Sequence, residues 1–111
     1  MQSQSLTQLA EESLTTARAT GNGRAAHTIH GGHEHDLRQT LIALTAGNAL
    51  GEHDAPREAT LQVLSGTVRL STGGDSWTGS AGDYLVIPAQ RHDLHADTDA
   101  VVLLTVATRA Q

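Results

Sequence analysis

Apolar side chains at Leu6, Leu9, Ala10, Leu14 and Ala17 return at steps of three and four, with Glu11 and Glu12 set against them. That is the period of a helix with one apolar stripe, and it predicts a single amphipathic helix over residues 4–19, ended by the Gly-Asn-Gly at 21–23. One helix cannot make a helix-turn-helix, so it is expected to brace the rest of the chain. Beyond Gly23 the period shortens to two. The runs AAHTIH, LRQTLIALT, TLQVLS, TVRLS, DSWTG, DYLVIP, RHDLHA and AVVLLTVAT are short and rich in β-branched or aliphatic residues, and glycines separate many of them. Such spacing predicts a sandwich or barrel and not an α/β fold.

Alternation assigns faces within these runs. Leu61, Val63, Val68 and Leu70 are predicted inward, and Thr67, Arg69 and Ser71 outward, with Ser65-Gly66 between them read as a tight hairpin turn. Ala100 to Val106 is apolar almost throughout, the pattern of a strand buried on both faces. The expected organisation is therefore a helix and linker over 1–23 and one β-barrel domain over 24–111. With 111 residues, a second independent core is not expected.

Composition narrows the picture. Hydrophobic residues are 38% of the chain, but the aromatics are Trp77 and Tyr84 alone, so the core must be aliphatic. A formal charge of −5 opposes the phosphate neutralisation that drives nucleic-acid binding, so no nucleic-acid partner is expected. Without cysteine there is no disulfide framework, thiolate zinc site or thiol nucleophile. The N-terminal residues lack the basic start and apolar run of a signal peptide, and no stretch approaches the roughly 20 apolar residues that span a bilayer. A cytoplasmic protein with no membrane partner is the expectation.

Candidate chemistry rests on seven histidines: His27, His30, His33, His35, His53, His92 and His95. Imidazole is both the commonest metal ligand and the side chain best suited to moving protons near neutral pH. His53 and His92 stand out because each lies at a strand end beside a turn. In RHDLHA, His92 shares its face with Leu94 and Ala96, so an inward Leu94 brings His92 inward, while Asp93 and His95 look out. His33 and His35, in GGHEH, follow two glycines and read as a partly exposed loop. A second account of His53 and His92 is that neighbouring hydroxyls, backbone or water simply satisfy them.

Residues 47–96 resemble the cupin superfamily. Gly47, His53 and Gly66 fall where its first motif carries its leading glycine, first histidine and turn glycine, and the GDYLVIPAQRH segment resembles its second motif through Gly82, Asp83, Pro88 and His92. Ala55 and Ala59 stand where the first motif has its second histidine and its glutamate, with Glu58 adjacent; Gln90 replaces a glycine and Ala96 an asparagine. The resemblance implies an all-β, RmlC-like jelly-roll β-barrel with one N-terminal α-helix, most similar to small bacterial cupin-domain proteins, and a homodimer. It places function in the barrel mouth, where His53, His92 and either Arg38 or Gln39 would orient a small-molecule ligand, the arginine suiting an anionic one.

A divalent metal (Fe, Mn, Ni or Zn) is a further implication, held by His53 and His92 with Glu58, Glu52 or a displaced histidine as third ligand, since two histidines and one carboxylate suffice for a non-haem iron site. Glu58 is out of phase by one with the motif carboxylate, which on a regular strand turns it to the opposite face. Three activities stay open at this point: ligand binding without catalysis, a metal-dependent enzyme of dioxygenase, isomerase or lyase type, and metal-free proton transfer by His53 or His92.

Overall fold

The computed structural model describes residues 1–32, 34–53 and 58–107, with Glu52 and His53 described through their backbone. His33 and Ala55 lie outside the described residues. Helix α1 spans Leu6–Ala19. Ser5 caps it, its hydroxyl accepting from the Gln8 backbone N–H at 3.2 Å, which fixes the start two residues later than the periodicity alone suggests. The buried residues of α1 are Ala10, Ser13 and Ala17; small side chains let the helix lie close on the sheet beneath it.

Among the described residues nine strands follow: β1 Arg24–His30, β2 Leu37–Leu44, β3 Ala49–His53, β4 Glu58–Ser65, β5 Thr67–Thr72, β6 Ser76–Ser80, β7 Tyr84–Val86, β8 His92–Ala96 and β9 Ala100–Ala107. They form a five-stranded sheet in the order β1-β2-β9-β4-β7 and a four-stranded sheet in the order β3-β8-β5-β6. The ladders are antiparallel. The two sheets face each other as a jelly roll that is not closed into a continuous barrel, with β6 and β7 as free edges on one side.

Between the sheets lies an aliphatic core that includes Leu44, Leu61, Val63, Val68, Leu94 and Val102. The second core is the outer face of the larger sheet, where Leu41, Ala43 and Val101 meet Ala10 and Ala17 of α1. β9 serves both, since Val101 packs against the helix while Val102 points between the sheets. That double coverage is why its sequence is apolar in succession and not in alternation.

Ser65-Gly66 is not a hairpin turn. β4 pairs with β9 and β7, whereas β5 pairs with β8 and β6, so the chain changes sheets at this point. Gly66 has φ 74°, and a Cβ there would collide with the Asp99 carbonyl and with Ala100. A glycine is demanded by close backbone approach at a corner and not only by turn conformation. Asp99 ties the same region together: its Oδ1 accepts from the Ala46 backbone N–H at 2.8 Å and its Oδ2 from Arg18 Nε at 3.0 Å. The Ala46 N–H first, and the Arg18 guanidinium second, hold the Asp99 carboxyl below the usual carboxylate range. No helix among the described residues is long and apolar enough to cross a membrane.

Candidate functional site

β8 alternates strictly between buried and half-buried residues, with His92, Leu94 and Ala96 inward. His92 is 3% exposed and lines an interior cavity of about 20 Å³ with Ile42, Leu61, Leu70, Leu94 and Leu104 among its walls. Polar groups rarely sit in such surroundings without a partner. Here the ring Nδ1 lies 2.9 Å from the Gln90 carbonyl oxygen. A carbonyl can only accept, so Nδ1 donates in this bond, and the bond fixes the orientation of the ring. This is the arrangement in which a backbone carbonyl orients an imidazole for proton, ligand or metal chemistry at its other nitrogen.

The ladders bring two further residues to the same level by backbone register: His53 of β3 is the Cα partner of His92 on one side, and Thr72 of β5 on the other. The β3–β8 register shifts between Leu50 and His53. The His53 side chain lies outside the described atoms.

The remaining candidates divide by strand phase. Ala59, at the position of the motif glutamate, is 4% exposed and belongs to the core between the sheets. Glu58 is exposed and, one residue out of phase with Ala59 and Leu61, falls on the other face of β4. Arg38 is exposed and has the inward phase of Ile42 and Leu44, but it precedes the partly buried Thr40 near the strand's start. Gln39 lies on the outer face with Leu41 and Ala43, its Nε2 donating to Thr105 Oγ1 at 3.2 Å. It is on the opposite side of β2 from the cavity that holds His92.

The other histidines are elsewhere. His35 donates from Nδ1 to the Gly31 carbonyl at 2.6 Å, and its ring centroid is 4.5 Å from that of His30. His95 is half-buried on the outer face of the smaller sheet, with Nε2 3.8 Å from Asp97 Oδ1, an oxygen also 3.8 Å from Arg69. Among the described residues no group of three or more His, Asp or Glu is placed to hold a metal ion.

One feature escaped the sequence reading. Between the free edges β6 and β7 opens a groove of about 570 Å³, lined in part by Leu70, Asp75, Trp77, Leu85, Pro88 and Gln90. Leu70 also walls the His92 cavity, and Gln90 is the residue whose carbonyl orients His92. The sequence does carry a signal for it, a lone tryptophan two residues before a glycine in a short strand.

An antiparallel jelly roll of two sheets, braced by helix α1 and carrying an inward histidine at a strand end, is the architecture of the cupin class. The family model described as Cupin domain matches residues 40–107, and the chain belongs to the cupin family. No curated protein matches the sequence. Among solved structures, the chain is similar to a conserved protein of unknown function from Streptococcus pyogenes, at 25% identity and TM-score 0.72, covering 83% of this chain and 80% of that one. An RmlC-like cupin protein from Desulfovibrio desulfuricans shares 25% identity at TM-score 0.66, covering 76% and 81%. A salicylate 1,2-dioxygenase from Pseudaminobacter salicylatoxidans shares the fold at 19% identity and TM-score 0.75; the match covers 90% of this chain but 33% of the dioxygenase.

Proposed function

We propose that this cupin domain binds a small molecule in the β6–β7 groove and the adjoining mouth, with His92 as the buried group that orients it. The observation that supports this reading is the junction of the two spaces: Leu70 lines both, and Gln90 lines the groove while its carbonyl fixes the His92 ring. The inner cavity of about 20 Å³ is too small for an organic molecule, but the groove falls within the range of about 300–1,000 Å³ typical of small-ligand sites. Arg38 stands exposed near the start of β2 with inward phase, and it is not among the described residues that line the groove. The test is a thermal-shift screen of small molecules against the wild type and His92→Ala. A ligand present at about 100 times its Kd adds about 2.7 kcal/mol to stability, and that gain should vanish in the variant. Hits that stabilise both proteins equally would refute the role of His92.

The backbone pairing of His53 with His92 favours a second reading, a divalent Fe, Mn, Ni or Zn ion held by the two histidines in an enzyme of dioxygenase, isomerase or lyase type. The described donors do not complete the family's set. Ala59 occupies the carboxylate place inside the core and cannot ligate, and Glu58 lies on the far face of β4. Two imidazoles alone hold a metal loosely compared with three or four protein ligands. Metal analysis of untagged wild type, His53→Ala and His92→Ala decides between the readings. Loss of metal in both variants establishes the metal site; metal retained in both moves it elsewhere, with His33 and His35 first in line.

We also propose a homodimer. Its support is the pair of free edges of the larger sheet, β1 and β7, together with the exposed Tyr84 and Val86 on β7, which are 61% and 63% accessible.

A further inference from the structure

The groove also carries information about what enters it. Trp77 is half-buried on β6, and Gly79, two residues on and therefore on the same face, is buried beneath it. A Cβ at Gly79 would overlap the six-membered ring of the indole, so the absent side chain is what lets Trp77 lie flat along its own strand. Leu70, the register partner of Trp77, and Leu85 and Pro88 extend this surface into an apolar wall. The polar part of the lining is Thr72, Asp75, Ser76 and Gln90. Among the described lining residues Asp75 is the one charged side chain, and no arginine or histidine accompanies it. The Ser76 backbone N–H donates to Oδ1 of the exposed Asp75 at 3.0 Å, and Thr72 donates from N to the Asp75 backbone carbonyl at 2.8 Å, closing the turn between β5 and β6.

A seated aromatic face in the same groove as a carboxylate has a definite complement. The indole offers area to a planar apolar body and an electron-rich face to a cation; the carboxylate attracts an ammonium group and repels another carboxylate. Resting on the small-ligand reading above, we infer that the groove selects a small planar apolar molecule bearing a protonated amine and discriminates against carboxylates. This reverses the anionic preference that the arginine suggested from sequence. It also separates the site from any chemistry directed at an aromatic acid.

Trp77 is the single tryptophan of the chain, so its emission reports the groove alone. The experiment titrates the full chain with benzylamine, benzyl alcohol and benzoate and follows the saturable change in Trp77 emission. Benzylamine should bind about fivefold more tightly than benzyl alcohol, the effect of one unit charge at contact distance in water, and benzoate about fivefold more weakly than the alcohol. Asp75→Asn should bring benzylamine to the level of benzyl alcohol. Gly79→Ala should tip the indole from its seat and abolish saturable binding of all three, while circular dichroism stays native because the group displaced is the far end of a side chain and not backbone. Benzoate binding as tightly as benzylamine, or unchanged binding in Gly79→Ala, would overturn the inference. So would the absence of any saturable response in the wild type. Should one of these occur while the screen still yields ligands dependent on His92, the small-ligand reading survives and the charge selection alone is wrong.

Discussion

Replacing Gly66 by alanine tests the corner between the sheets directly, because the structure supplies its own control. Gly47 also has a positive φ, 85°, but nothing lies within 4 Å of where its Cβ would be. Gly47→Ala therefore isolates backbone strain. Left-handed backbone costs an L-residue about 1–2 kcal/mol, and the loss of unfolded-state freedom returns about 0.4–1 kcal/mol, leaving a net destabilisation near 0.5–1 kcal/mol. Gly66→Ala adds a collision with the Asp99 carbonyl and Ala100, both in or beside the turn that leads into β9. Backbone cannot swing aside as a side chain does, and forcing extra atoms into a packed site costs about 1–3 kcal/mol more. The expected total is about 1.5–4 kcal/mol, which for a domain of this size lowers Tm by about 6–16 °C. Urea unfolding of both variants, read by Trp77 emission and far-ultraviolet circular dichroism, measures the difference. Equal losses in the two variants would refute the argument and would return Ser65-Gly66 to the status of an ordinary exposed turn.

Three further outcomes follow from the same structure. The Asp99 carboxyl is held below its usual range by the Ala46 N–H and Arg18, so its contribution is present above the unfolded value of about 3.9 and is lost as pH falls through the lower folded value. Asp99→Asn should flatten that acid limb of the stability profile and leave neutral pH little changed in slope, and an unaltered acid limb would show that the clasp is idle. Leu44→Ala, at a site 1% exposed in the core between the sheets, should cost about 2–5 kcal/mol in chemical denaturation, and a cost below 1 kcal/mol would mean that the sheets collapse onto the gap. Light scattering at micromolar concentration should return a dimer mass, and a monomer mass would remove the proposed use of the β1 and β7 edges.

What could be read from sequence depended on whether a residue's environment was set by its neighbours along the strand. The α1 stripe and the phases of β4, β5 and β8 were legible because each of these elements has one well-buried face, so polarity alternates with geometry. The partner of a strand is a different matter. Ser65-Gly66 between two alternating runs has the local chemistry of a hairpin, and nothing in the pair itself records that β4 and β5 join different sheets. Gly66 satisfies either account, since both require a positive φ or a missing Cβ.

The same logic sorts the site residues. His92 was legible because Leu94 and Ala96 fix its phase on a strand with one inward face. Gln39 was not, because β2 is covered by the helix on one side and by the second sheet on the other, so LRQTLIALT is apolar on both faces and carries no phase until the strand is placed. Glu58 illustrates the intermediate case: Leu61 and Val63 set the phase of β4, that phase puts Ala59 inside, and the adjacent carboxylate is thereby turned away from the motif position it nearly fills. The groove was the least legible of all, since it belongs to no segment but to the separation of two sheet edges that the chain reaches in succession. Its one local trace is the spacing of Trp77 and Gly79. A glycine on the same face as a lone tryptophan, where a strand would ordinarily carry a β-branched side chain, gives up strand propensity and packing area. The flat indole recovers part of that loss by packing against the core between the sheets, and the ligand proposed for the groove is the second use of the same surface.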